Sequence, residues 1–257
     1  MPITNHYHEV LSFGENLVTF IIRQLQEREQ YRSLTAILKE EGYPEAGNFK
    51  IPAEGEKAVR ITFAEAKKLL KESGYDIGED EMADIEYVPF PHHAPSHHHH
   101  VNPAPLSSTT HSETYKKTNL APSTAQEKAL GALIHQKHST DFYSIDKYPR
   151  ALRPFYTHPD PSNPALTNSY DFFMRGQEIM SGAQRLHNYD QLCAEMRSKG
   201  VDPLNEGFSH YTDAFKYGVS PHGGGGLGLN RIVQYFLGLN NIREATLFPR
   251  DPVRLAP

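Results

Sequence analysis

Residues 223–228 of the 257-residue chain read GGGGLG, and Leu229, Asn230 and Arg231 follow at the start of an apolar helical pattern. Glycines let a backbone come close to a ligand or to another strand. A helix N-terminus offers free N–H groups and the positive end of its dipole. Arg231 adds a permanent charge with fork geometry. Together they suit a phosphate or a planar nucleotide. The run formally matches GxGxxG, but "FKYGVSPH" before it is a poor buried strand. No Lys-Ser or Lys-Thr follows to make a Walker loop. A tight strand-to-helix turn, with Arg231 paired on the surface, explains the run about equally well.

A second stretch, "YDFFMRGQEIMSGAQRLH" over Tyr170–His187, reads as two strands joined at Arg175-Gly176. Alternation puts Asp171, Phe173 and Arg175 on one face. If the second strand is regular, Glu178, Met180 and Gly182 share a face, and Ile179, Ser181 and Ala183 lie opposite. Asp171 and Glu178, seven residues apart across the hairpin, have the oxygen ligands to hold a hard cation. Arg185 has the geometry to clamp a carboxylate bidentately. An ordinary cross-strand ion pair is the competing explanation, and the hairpin alone favours it. A third stretch, "ATLFPRDP" over Ala245–Pro252, reads by itself as a surface turn set by two prolines.

The elements that must position these residues are partly legible. Leu17, Val18, Ile21, Ile22 and Leu25 repeat at helical spacing, which predicts a helix from Leu11 to Leu38. Short β-prone pieces fall at Phe49–Ile51 and Ala58–Ile61. Thr62, with Glu65 three residues on and Gly74 at the end, predicts a capped helix. Residues 76–122 are rich in Pro, Ser, Thr and His and predict a disordered insertion between two parts of one domain, 1–75 and 123–257. Seven of the fifteen histidines lie between His92 and His111, yet nothing there completes a ligand set, so a flexible polar tract is the favoured reading over a metal site. A capped helix then starts near Ser123, "TDFYSIDKYP" reads as a strand, "YDQLCAEMRSKG" as a helix ending on Gly200, and a last helix spans about Leu227–Leu239. Strands and helices alternate irregularly, which predicts an α+β domain on an antiparallel sheet.

Net charge is −5 and Cys193 is the single cysteine. Whole-chain electrostatics do not favour nucleic acid, and a disulfide framework is excluded. No apolar run approaches a membrane span, and Met1–Val10 lacks a secretory pattern, so a cytoplasmic protein with no membrane partner is expected.

Taken together, "YDFFMRGQEIMSGAQRLH", "PHGGGGLGLNRIVQYFLGLNNIREATLFPRDP" and the terminal "RLAP" resemble the C-terminal part of the catalytic domain of aspartyl-tRNA synthetases of the eukaryotic and archaeal type. "HYHEVL", "VRITFAEAKKLL" and "TDFYSIDKYPRALRPFYTHPDPSNPALTNSYDFFMRG" agree, colinear from about His6 to Pro257. The resemblance implies the class II synthetase core, an antiparallel sheet flanked by helices. It implies ATP and Mg2+ as cofactors, aspartate and tRNA(Asp) as substrates, and activation of aspartate before its transfer to tRNA. Carried over by position, Gly228, Leu229, Asn230 and Arg231 fall on the third signature motif, which binds ATP, with Arg231 catalytic on the phosphate. Glu178 falls on an ATP- and metal-binding position and Asp171 on a metal position. Ser181 and Arg185 fall on aspartate-binding positions, Arg185 facing the side-chain carboxylate.

Two departures shape the expectation. Asn230 stands where the family motif has Glu or Asp, which removes a charge able to order Arg231. The resemblance also begins beyond the first two signature motifs, one of which supplies an arginine to the α-phosphate. The chain alone is therefore expected to be inactive or weakly active. A homodimer or a complex with a full-length synthetase is expected to complete it. The alternative is a non-catalytic paralogue that binds ATP, aspartate or a synthetase partner.

Overall fold

The computed structural model describes residues 1–75 and 124–250, so the expected insertion and the Ser123 cap lie outside the described residues. Helices α1 (His8–Gln26) and α2 (Glu29–Glu40) open the chain, followed by β1 (Val59–Thr62) and α3 (Phe63–Glu72). Thr62 and Glu65 make the expected capping box, and Gly74 ends the helix region at φ +83°. After α4 (Thr124–His138) come β2 (Phe142–Asp146), the short hairpin β3 (Pro159–Asp160) and β4 (Asn163–Thr167), then β5 (Ser169–Met174) and β6 (Gln177–Arg185). Helices α5 (Tyr189–Ser198) and α6 (Glu206–Lys216), strand β7 (His222–Leu227) and α7 (Leu229–Leu237) complete it.

The main sheet has the order β1-β2-β5-β6-β7. All neighbours are antiparallel except β1 and β2, so the expected antiparallel sheet carries one parallel pair at its edge. That pair follows from α3 and α4, which return the chain to β2 in the same direction. β2 and β5 are buried along their whole length. On one face, Leu11, Val18 and Ile22 of α1 and Phe236 of α7 pack against Phe142 and Phe172. On the other face, Leu70 of α3 and Leu130 and Ile134 of α4 pack against Tyr143, Ile145 and Phe173. Leu192, Met196 and Phe215 of α5 and α6 form a separate cluster with Leu186.

The single helix expected over Leu11–Leu38 is two helices. Arg28 is extended at ψ 139°, and the break lets Tyr31 stack on Phe236 at 4.8 Å. Of the two β-prone pieces, only the second pairs. Phe49–Ile51 is a loop whose Lys50 N–H donates to Asp141 Oδ2. The glycine run is also more regular than expected: it is strand β7, and α7 begins at Leu229 rather than Leu227. Neither the β3–β4 hairpin nor α6 is marked by the patterns above.

Candidate functional site

The site is built on the hairpin β5–β6 and on β7 beside it. Arg175 and Gly176 form the turn with φ of 49° and 70°, the left-handed pair that a tight hairpin needs. α4 crosses this turn at backbone contact. A Cβ on Gly131 would lie 2.4 Å from Gly176 Cα, and one on Gly176 would lie 2.4 Å from the Glu127 carbonyl oxygen. These two glycines bring Glu127 of α4 to the start of β6.

Regular alternation along β6 does not hold. Phe172 pairs with Met180 but Phe173 pairs with Glu178, so Ile179 is an extra, unpaired residue. A bulge of this kind shifts the side-chain phase by one residue. Residues directly opposite in a ladder share a face. Glu178 therefore lies on the face of Phe173 and Asp171, and so does Ser181, which pairs with Asp171. Ile179 and Met180 both enter the opposite core. The expected separation of Glu178 from Ser181 is corrected by the bulge, which places both on one surface with Arg185.

The glycines of β7 divide by the same alternation. Cβ atoms on Gly223 and Gly225 would meet backbone atoms of β6 at 3.0 and 2.6 Å. Those on Gly224 and Gly226 would meet nothing within 4 Å. Two glycines are thus required by strand packing, and two leave an open floor. That floor belongs to a cavity of about 200 Å3 lined by Arg153, Tyr156, Ser181, Arg185, Gly224 and Gly226. Arg185 holds its guanidinium 5.2 Å from the centroid of the Tyr156 ring, and among the described residues it has no carboxylate partner.

A second cavity of about 190 Å3 adjoins it, with Phe63, Leu130, Tyr148 and Phe173 as apolar lining and Glu127, Asp171 and Glu178 as acids. Asp171 is buried. Its Oδ2 accepts from Arg153 Nη2 at 2.7 Å, while Oδ1 has no hydrogen-bond partner. Leaving such an atom unpaired costs about 1–3 kcal/mol. Burial, then the charge of Asp171, pushes the Glu178 carboxyl up against the opposing pull of Arg231 and Arg153. Burial, then Glu178 and Asp171, pushes Glu127 up to about 7. The second cavity is therefore short of positive charge, with a buried oxygen to offer. A hard divalent cation fits that donor set. Among the described residues, no three Asp, Glu, His or Cys side chains form a ready ligand group, so Asp171 and Glu178 are the candidate pair.

Arg231, in the first turn of α7, donates to the Glu178 carbonyl oxygen at 2.9 Å and lies 3.8 Å from its carboxylate. It is half-exposed, and its neighbours toward the helix start are exposed: Leu229 is 70% exposed, and Asn230 is exposed too. Gly228, the residue before α7, donates its N–H to the Ile179 carbonyl and so ties the helix start to the bulge. Arg231 and Glu178 stand at one end of β6 and Arg185 at the other, roughly 20 Å apart at the rise of an extended strand. Ser181 lies between them.

Two residues of the site escape the sequence patterns. Arg153 sits in an irregular loop before Pro154, where no periodicity points to it. Glu127 reads as one more charge on a solvated helix face. The proline-rich loop "KYPRALRPFYT" carries the only signal for Arg153, as part of the colinear resemblance. Of the "ATLFPRDP" stretch, Leu247 and Phe248 are exposed, and Asp251 and Pro252 lie outside the described residues.

The family described as tRNA synthetases class II (D, K and N) matches residues 1–252. The cytoplasmic aspartate–tRNA ligase of Homo sapiens is 38% identical over the whole chain, which spans 42% of that protein. The solved aspartyl-tRNA synthetase of Entamoeba histolytica is 38% identical, with a TM-score of 0.74 over the whole chain and 43% of its own. The asparaginyl-tRNA synthetase of Pyrococcus horikoshii is 27% identical, with a TM-score of 0.55 over 78% of the chain and 37% of its own. The chain thus spans about two fifths of the length of the curated relatives it matches. No helix among the described residues is long and apolar enough to cross a membrane.

Proposed function

We propose, from the premise that this chain belongs to the class II tRNA synthetases of the D, K and N group, that its β5–β6–β7 surface is the part of an aspartate-activating site that holds the amino-acid side chain and the ATP phosphates. One observation carries the reading: the bulge at Ile179 brings Arg185, Ser181, Asp171 and Glu178 onto one face, with Arg231 at its end. Arg185, backed by Tyr156, receives the side-chain carboxylate of aspartate over the open floor of Gly224 and Gly226. Ser181 hydrogen-bonds the amino-acid backbone. Arg231 and the start of α7 at Gly228, Leu229 and Asn230 hold ATP phosphate and nucleoside.

Asp171 and Glu178 would hold Mg2+, which when bound shields phosphate charge. In the reaction, the α-carboxylate of aspartate attacks the α-phosphorus of ATP and pyrophosphate leaves. A terminal ribose hydroxyl of tRNA(Asp) then attacks the carbonyl carbon of the aspartyl-adenylate, forming the ester as the acyl–phosphate bond breaks and AMP leaves. The linear order of the residues matches the order of the groups they would meet: side chain at Arg185, reacting atoms near Ser181, phosphates at Glu178 and Arg231.

The test is titration of the folded chain with a non-hydrolysable aspartyl-adenylate analogue. Binding is expected, and Arg185→Ala and Arg231→Ala should each weaken it by at least about tenfold, the loss of one charged hydrogen-bonding partner. No binding to the folded chain overturns the proposal. Aspartate-dependent ATP–pyrophosphate exchange, run in parallel, separates catalysis from the binding-only reading.

A further inference from the structure

Arg153 forms the wall between the two cavities and lines both. Its Nη2 donates to Asp171 Oδ2 at 2.7 Å on the acidic side. Its Nη1 donates to Ser181 Oγ at 3.1 Å on the side of Arg185. The guanidinium lies 3.7 Å from the centroid of the Tyr148 ring, and the side chain is only 12% exposed. This interaction is half-made from both sides. Arg153 Nε is buried without an acceptor, and Asp171 Oδ1 is buried without a donor. A fork-to-fork pair would use both. Each partner therefore keeps a buried group that another ligand can engage.

We infer that Arg153 couples the two cavities: a divalent cation taken by Asp171 and Glu178 loosens the Arg153–Asp171 pair and frees the guanidinium for a carboxylate ligand beside Arg185. The coupling rests on the proposed function, because it takes the cation and the carboxylate from that reading. Its physical basis is competition. A cation and a guanidinium on one carboxylate repel each other, and the guanidinium is already anchored across the wall by Ser181 and Tyr148. The cavity it already lines beside Arg185 is where a released guanidinium can meet an anionic ligand. By linkage, the carboxylate ligand must tighten the cation by the same factor that the cation tightens the carboxylate.

Mn2+ serves as the probe, its binding to the full chain read by water-proton relaxation with and without saturating aspartate. In the unsubstituted chain, aspartate should tighten Mn2+ by at least about fivefold, the lower end of typical coupling between sites. In Arg153→Met, Mn2+ alone should bind more tightly than before, because Asp171 loses its resident cation, and aspartate should no longer change it. Arg153→Lys keeps the charge but cannot fork between two acceptors, so its coupling should fall between the two. Arg197→Met, exposed on α5, removes the same charge elsewhere and should change neither value. Mn2+ binding that ignores aspartate in the unsubstituted chain overturns the coupling and leaves the cation reading standing. Coupling retained in folded Arg153→Met overturns the assignment to Arg153. No Mn2+ binding to the folded chain overturns both the coupling and the cation reading.

Discussion

Glu127 and Glu178 carry the clearest residue-scale consequence of the site. Burial raises both carboxyls: Glu127 goes to about 7 from an ordinary value of 4.5, with the charges of Glu178 and Asp171 adding to the rise, and Glu178 is pushed up further by Asp171, while Arg231 opposes both. A carboxyl raised on folding keeps a proton that the unfolded chain releases. Its stabilising contribution is complete below about 4.5, declines as pH rises through about 7, and is absent above. Glu127→Gln cannot ionise and should flatten this decline. Thermal melts at pH 5 and pH 8 should differ less for the variant than for the unsubstituted chain. An unchanged difference would show that Glu127 does not titrate in that window. Little of this was legible beforehand. Arg231, Glu178 and Arg185 stand out because their residue types and neighbours are unusual in sequence. Glu127 and Arg153 do not, because their partners lie 51 and 18 residues away in the chain, at Glu178 and Asp171.

At the scale of the element, β7 is a strand made of glycines that serve two purposes. A methyl at Gly225 meets Ser181 O at 2.6 Å and Gly182 Cα at 2.9 Å, both backbone. Gly225→Ala should therefore destabilise the chain by about 1–3 kcal/mol, as other overpacked sites do. Gly224→Ala enters open space and should leave the melt unchanged while weakening the adenylate analogue, since the methyl occupies the cavity floor. Loss of stability in both variants alike would contradict the alternation. The capping box gives a simpler test: Thr62→Ala should cost about 1 kcal/mol in urea unfolding. That box was readable in the sequence because its atoms are three residues apart. The β character of 223–227 was not, since glycine has low strand propensity and pairing with β6 overrides it.

In the whole molecule, two cores share one sheet. Leu11 lies in one and Leu130 in the other, each almost wholly buried. Leu11→Ala and Leu130→Ala should each cost about 2–5 kcal/mol. Because β2 and β5 separate the two cores and belong to both, each variant should shift a single common unfolding transition. A second transition in either would mean that the faces melt independently.

The sequence by itself determined most of the local grammar and the family: capped helices at Thr62 and Gly200, the hairpin turn at Arg175-Gly176, and the colinear motifs from His6 onward. These signals are short-range, held in residues within a few positions of each other or in motif order. Only the tertiary structure decided which residues meet. The extra residue at Ile179 sets the face of Glu178 relative to Ser181, and that bulge exists only in the pairing of β6 with β5. The Gly131–Gly176 contact sets where Glu127 falls, and Arg153 acquires its place only when β5, β6 and its own loop are assembled. Such contacts join residues far apart in the chain, and no pattern along the chain encodes them.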